Sequence, residues 1–399
     1  MQTSARTPKI AIIGGGIGGL AAARALILRG FQVSVYEQAP RISEFGGGVV
    51  MTPNAMKALR CLGLEDAILA HAFVAKAQVA RSWRSGRAID TAPLDVCHHR
   101  FGAAFCTMHR GDLQDVLRAS VGDEHIHLRA RCVEVSSDVT SAHARFEDGR
   151  EIEADVIIGA DGIHSMLRAS LFGAESPRFT GNVCWRGLVD ARRLPPGLVP
   201  PEFTLWWGPH AHVVHYYVRR GELLNWVAIT EVNAWTEESW STEGDLAEVR
   251  RTYAGWNERL LKIFDATERC YKWALYDREP LPRWGEHRLT LLGDSAHAML
   301  PYLAQGAAQS LEDACVLALN FARTPEDLPG ALRRYEDQRI PRTRKIQLSA
   351  RARGEANHLP SAWSRLMRDA RLALRRRLAP GATLHQAEWI YGYDVARPE

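Results

Sequence analysis

Paired cysteines are missing from this chain. Its seven cysteines (61, 97, 106, 132, 184, 270 and 315) are odd in number and scattered, with no CxxC spacing. A disulfide framework or zinc ribbon is thereby excluded, and reduced thiols in a cytoplasmic protein are expected. Long hydrophobic runs are also missing: nothing reaches the roughly 18 uninterrupted apolar residues that read as a membrane helix. Arg6 and Lys9 lead directly into a strand-like segment, with no apolar run before a small-residue cleavage site, so no secretory leader is expected. A strong charge of either sign is absent as well. The net charge of +4 gives no case for nucleic acid or an acidic partner. Without an HExxH motif or a Cys/His cluster at ligand spacing, no metal is expected. Ser165 and Ser295 lack a matched His/Asp arrangement, which leaves nucleophilic hydrolysis unsupported.

What is present suits an α/β protein. A length of 399 residues accommodates two domains, and 46% apolar with 24% charged residues is ordinary for a globular chain. Near the start, "KIAIIGGGIGGLAAARALILRGFQVSVYEQ" reads as a strand over Lys9–Ile13, an Ala/Leu-rich helix over Ile17–Arg29 and a second strand over Phe31–Tyr36. Two later apolar runs, "ADVIIGADG" at 154–162 and "RLTLLGD" at 288–294, read as buried strands ending in Gly and Asp. Loops at such carboxyl ends form the ligand edge of a parallel sheet. Between these runs composition shifts: nine of the twelve tryptophans fall in 185–284, among alternating patterns such as "HVVHYYV". Alternation predicts an inserted, antiparallel β-rich domain, with most of the aromatics as its core. From Leu332 to about Arg377 the chain is helical and basic. Residues 363, 366, 370, 374 and 378 share one helical face, which suits packing on the chain's own domain or a dimer mate better than a membrane surface.

Gly14, Gly16 and Gly19 form GxGxxG between the first strand and its helix. The first glycine permits the tight turn, the second lets backbone approach a pyrophosphate, and the third allows close helix–strand packing. Glu37, ending the second strand, is placed to accept ribose hydroxyls. This set predicts an adenine dinucleotide but does not separate FAD from NAD. Three further features do: Arg110 in "HRGDL", Asp161-Gly162 in "DVIIGADGIHSMLR", and Asp294 with Pro301 in "LLGDSAHAMLP".

In that order and at those separations, the motifs resemble the class A flavoprotein monooxygenases, the single-component aromatic hydroxylases, from about Lys9 to Arg344. The resemblance implies a Rossmann-type FAD-binding domain with an inserted β-rich substrate domain and a helical C-terminal region. It divides the chain into a discontinuous FAD domain (1–75, 100–175 and 277–344), a substrate sheet (76–99 and 176–276) and a helical region (345–399). FAD would be held by Gly14, Gly16, Gly19, Glu37 and Arg110, with Asp294 on the ribityl chain. Asp161-Gly162 would lie near the diphosphate and serve NAD(P)H, with NADH the family's lean. Pro301 would sit over the reactive face of the flavin, and the N–H groups of Gly306, Ala307 and Ala308 would approach its pyrimidine edge. The loop "PYLAQGAAQ" has fewer glycines than the common family loop and resembles that of salicylate, 3-hydroxybenzoate and 6-hydroxynicotinate hydroxylases. "WIYGYD" at 389–394 resembles the 6-hydroxynicotinate enzymes.

On the substrate side, strand alternation in "HAHVVHYYV" puts His212, Val214 and Tyr216 on one face and His215 and Tyr217 on the other. The resemblance aligns His212 and Tyr216 with residues that contact the substrate's hydroxyl or carboxylate. It implies NAD(P)H- and O2-dependent hydroxylation of a hydroxylated aromatic acid through a flavin C4a-hydroperoxide, in a homodimer. Two alternatives remain open on the residues alone. A plain NAD-dependent dehydrogenase would be colourless, and a non-catalytic FAD-binding redox partner would show no substrate-stimulated NAD(P)H oxidation.

Overall fold

Ile10–Ile13 and Val156–Ile158 offer no polar side chain to water on either pleat face, so both segments must be covered on two sides. In the computed structural model, which describes residues 6–42, 46–232, 243–378 and 381–397, they are neighbours in a six-stranded sheet. Lys9–Ile13 pairs in parallel with Val156–Gly159 on one side and Gln32–Tyr36 on the other. Leu289–Leu291 and Ile126–His127 extend the parallel array, and Gly285–Glu286 closes one edge antiparallel. The helix Ile17–Ile27 packs on the helix Gly306–Arg323, and Ala21, Ala22, Ala23 and Ala25 are fully buried, which allows close approach.

A second, eight-stranded sheet contains Arg178–Asp190, Leu223–Glu231, Ala211–Val218 and Glu202–Trp207 as successive neighbours, joined at one edge by Ala77–Ser82 and Ala88–Pro93. The alternation creates two distinct faces. Trp185, Trp206, Trp226 and Trp256 belong to a core that includes Leu260 and Phe264 of the helix Glu258–Asp265. The opposite face carries Tyr216, Val227 and Ile229.

Not every tryptophan belongs to that core. Trp284 packs against His297 and Tyr335 in the core of the other sheet, and Trp207 lies beside Arg353 and Arg368. Trp235 and Trp240 lie outside the described residues. The expected boundary at 344/345 falls inside one continuous helix, Leu328–Asn357, which carries Pro341 without ending. The following helix, Ala362–Leu378, packs on its own chain through only part of its surface. Trp363, Leu366, Leu374 and Leu378 of its apolar stripe are exposed. The contacts are made instead by the Arg368 guanidinium over Trp207, by Leu372 and by Arg375 near Asp90. The Arg368 guanidinium sits 4.8 Å from the Trp207 ring centroid, a cation–π contact.

Candidate active site

The parallel strands end level with one another: Ile13 is in register with Tyr36 and Gly159, and Gly159 with Leu291. Their loops therefore bring Gly14–Gly16, Glu37, Ala160–Gly162 and Gly293-Asp294 to one edge. There a cavity of ≈ 800 Å³ opens between this edge and the aromatic-lined face of the second sheet.

The three glycines of the first turn differ physically. Gly14 has φ +109°, and a Cβ there would lie 2.3 Å from the Ala160 carbonyl oxygen. At Gly19 it would lie 1.9 Å from the Gly14 carbonyl oxygen. At Gly16, which lines the cavity, a Cβ would meet nothing within 4 Å. The helix Ile17–Ile27 that starts there has no acidic residue in its first turn and no side-chain cap, leaving its N–H groups for an anion. An adenine dinucleotide's pyrophosphate fits this cradle. Glu37 accepts from the Gly15 N–H at 2.7 Å and the Ala39 N–H at 2.8 Å, one on each carboxylate oxygen, with lone pairs left for further donors.

A second cradle follows Asp294. Pro301–Leu303 forms a short turn, Ala304 takes left-handed φ +53°, and the helix Gly306–Arg323 starts beyond Gln305. A Cβ on Gly306 would find only the Asp294 carboxylate oxygen, at 4.0 Å, and Gly306, Ala307, Pro301 and Asp294 all line the cavity. The strained Ala304 is held because the next residue is fixed. Buried Gln305 donates to the Thr52 hydroxyl at 3.0 Å and accepts from Asn54 at 2.9 Å and Gln309 at 3.0 Å. Asn54 also donates to Glu312 at 2.7 Å, which Arg339 and Arg342 clamp at 2.6 and 2.7 Å. The loop is thus set by a buried polar network, not by its few glycines.

Arg110 starts the helix Arg110–Val121 and lines the cavity with Asp294. Burial and neighbouring Arg186 push its guanidinium pKa down, and Asp294 opposes that. Burial raises the Asp294 carboxyl, against His297 and Arg110. Asp161 is engaged locally. Its carboxylate accepts from the Ser165 hydroxyl at 2.5 Å and the Met166 N–H at 2.8 Å, at the start of the helix Met166–Phe172. Ala160 and Gly162 line the cavity in its place.

On the far wall His212, Val214 and Tyr216 face the cavity, as alternation requires. His215 points the other way, its ring 6.3 Å from Trp206, and burial pushes it down to about 3. Tyr216 stacks on Phe203 with centroids 5.1 Å apart, and burial pushes its phenol up to about 12, so it stays a donor. Burial, then His358 and Arg353, hold the His212 imidazole well below its usual range and therefore neutral.

Several lining residues escape a reading of the sequence. Arg353, from the helix Leu328–Asn357, lies deep and faces the cavity, its guanidinium 5.4 Å from the Trp207 ring centroid. Among the described residues no carboxylate comes within ion-pair distance of it; Asp90 is engaged by Thr383 at 2.6 Å and Arg375 at 3.6 Å. His358 touches His212 across 146 residues of sequence, a separation that leaves no local signal. The "WIYGYD" segment is cavity wall: Trp389 and Tyr391 line it, and the Trp389 and Gly392 carbonyls accept from Arg342 and Lys57 at 3.0 and 2.7 Å.

Known proteins share this arrangement. The FAD binding domain family matches residues 7–349. A 3-amino-4-hydroxybenzoate 2-monooxygenase of Streptomyces platensis is 38% identical over 390 residues, spanning 98% of this chain and 97% of its own. The 6-hydroxynicotinate 3-monooxygenase of Bordetella bronchiseptica is 34% identical, over 97% and 96% of the two chains. Among solved structures, a salicylate hydroxylase substrate complex superposes with TM-score 0.83 at 26% identity, covering 98% and 96%. Klebsiella pneumoniae HpxO with FAD and uric acid superposes with TM-score 0.85 at 29%, covering 93% and 94%. The chain belongs to this FAD-binding family and is a class A flavoprotein monooxygenase, an FAD-dependent aromatic hydroxylase with NAD(P)H as co-substrate.

Proposed function

We propose that this enzyme hydroxylates a small aromatic or heteroaromatic carboxylic acid that carries a ring hydroxyl, of the salicylate, 3-hydroxybenzoate, 6-hydroxynicotinate or 3-amino-4-hydroxybenzoate type. One observation carries the reading. A single cavity joins the two glycine cradles to a neutral imidazole, His212, and to a guanidinium, Arg353, that has no carboxylate partner among the described residues.

FAD, bound by the Gly14–Gly19 turn, Glu37, Arg110, Asp294 and the Gly306-Ala307 N–H groups, supplies the redox chemistry that takes electrons from NAD(P)H and activates dioxygen. The chain's own residues prepare the acceptor. Arg353 pairs with the substrate carboxylate, a charge-assisted contact strengthened by its depth. His212 removes the ring hydroxyl's proton and so makes the ring electron-rich, the condition for attack on activated oxygen. A neutral imidazole is the form this requires. Tyr216 donates a hydrogen bond to the substrate. Pro301, without an N–H, walls the site without offering a donor to water.

The test is a screen of hydroxylated aromatic acids for stimulated NADH consumption with product identification, repeated on Arg353→Ala and His212→Ala. An accepted acid, weaker binding of that acid but not of its carboxamide to Arg353→Ala, and hydroxylation slowed by about 10²- to 10⁴-fold in His212→Ala are expected. An Arg353→Ala enzyme with the wild-type preference for the acid over its carboxamide would remove the carboxylate role. A fully coupled His212→Ala enzyme would remove the base.

A further inference from the structure

The imidazole assigned to the substrate hydroxyl is not a dead end. His212 is buried on the strand Ala211–Val218, and its Nδ1 lies 2.6 Å from Nε2 of His358, just past the end of the helix Leu328–Asn357. Buried His358 turns its other ring nitrogen, Nδ1, to Oε1 of Glu231 at 3.4 Å. Glu231 ends the strand Leu223–Glu231 with its side chain 43% exposed, and its Oε2 lies 2.6 Å from Nδ1 of His210, itself 56% exposed. Four titratable side chains from three separate parts of the chain thus lie end to end, from the cavity to bulk water.

We infer that His212, His358 and Glu231 form a proton path, with His210 orienting the carboxylate at its mouth, that carries the substrate hydroxyl's proton out of the closed site. This inference rests on the reading of His212 as the base. The tautomers that make the chain continuous are Nδ1–H on His212, donating to His358 Nε2, and Nδ1–H on His358, donating to Glu231. The substrate O–H bond breaks toward His212 Nε2. The Nδ1 proton of His212 passes to His358 Nε2, and the Nδ1 proton of His358 passes to the Glu231 carboxylate. Glu231, half-exposed, then gives that proton directly to water, while the His210 Nδ1–H holds its other carboxylate oxygen. One proton enters, one leaves, and each ring ends as its other tautomer; a proton returning along the same path resets both.

Two features set this apart from a pair of packed histidines. Both ring nitrogens of His358 are used, one toward the cavity and one toward the surface. The path also ends on a half-exposed carboxylate, where a structural pair would need no connection to water. The groups facing it fit transmission. Arg353 disfavours a resting positive charge on His212, and burial with His358 acts in the same direction. Burial lowers His358 to about 4 while Glu231 pulls it up, so neither ring traps the proton at neutral pH. Tyr302, with its ring 5.4 Å from that of His212 and 6.1 Å from that of His358, shields the pair; burial keeps its phenol protonated.

The holoenzyme tests this without turnover. In the absence of NAD(P)H it is mixed rapidly with 3-amino-4-hydroxybenzoate, or with the acid that the screen returns. Binding is followed by the flavin absorbance, and proton release by phenol red at low buffer concentration. Wild type is expected to release a proton as it binds. Glu231→Gln and His358→Asn should bind with similar affinity but release the proton at least tenfold more slowly, and added imidazole buffer should speed release in both. Glu231→Gln changes a half-exposed side chain and keeps the test valid if His358→Asn misfolds. No proton release by wild type, or wild-type release rates in Glu231→Gln, would overturn the path. If release is slowed in His212→Ala but normal in Glu231→Gln, the base stands and the path falls. If His212→Ala itself releases normally, the assignment of the base fails first.

Discussion

Two glycines of one motif should fail in opposite ways. Gly19→Ala adds a methyl 1.9 Å from the Gly14 carbonyl oxygen, over an ångström inside any tolerable contact, and the obstacle is backbone. Helix and strand must separate, and strain of this kind costs about 1–3 kcal/mol. Gly16→Ala adds the same methyl to extended backbone, φ −74° and ψ −175°, where nothing lies within 4 Å. The folded apoprotein has no objection to that methyl. Restricting the unfolded chain should stabilise it by about 0.4–1 kcal/mol. The methyl instead occupies the space where a pyrophosphate must approach the helix N-terminus. Losing one or two charge-assisted N–H contacts, about 1.5–3 kcal/mol each, weakens FAD binding by about tenfold or more. Urea unfolding of apoprotein stripped of FAD gives the first quantity, and quenching of flavin fluorescence on titration gives the second. Gly16→Ala apoprotein as unstable as Gly19→Ala, or Gly16→Ala holding FAD like wild type, would refute the division of roles.

Gly306→Val should leave the apoprotein folded, because the nearest atom to the new Cβ is the Asp294 oxygen at 4.0 Å, yet lower flavin retention and turnover; the flavin spectrum and apoprotein unfolding midpoint check both halves. Arg339→Met should cost about 3–5 kcal/mol, since it removes a guanidinium 2.6 Å from each of the buried carboxylates Glu312 and Asp313 and leaves them to Arg342 and His297. It should also release the Gln309 side chain, held by Arg339 at 2.6 Å and itself a donor to Gln305, and so disturb flavin binding, and the denaturant midpoint together with FAD content tests it. His212, His215 and His358 are all held below their ordinary range, His215 to about 3 and His358 to about 4. The unfolded chain therefore binds more protons below about pH 6.5, and every tenfold loss of proton affinity on folding is worth about 1.4 kcal/mol. Stability should fall as pH drops from about 6.5 toward 4, and His215→Leu should lose part of that slope in thermal melts across the range.

The family and the glycine-rich edge of the parallel sheet were legible in the sequence because their determinants are local. GxGxxG, Glu37 and the Gly-Asp strand ends each sit within a few residues of the backbone they shape, and a two-residue period alone placed His212, Val214 and Tyr216 on one face. Tertiary structure decided what local pattern cannot carry. Asp161 accepts from Ser165 and Met166 at a helix start, which depends on where those residues fold. The helix Ala362–Leu378 leaves most of its apolar stripe exposed and sets Arg368 over the ring of Trp207, far away in sequence. Arg353, His358 and Glu231 carry no motif and gain meaning only when a long helix and two strand ends converge. Their chemistry arises from juxtaposition across 146 residues between the two rings, and no periodicity encodes that.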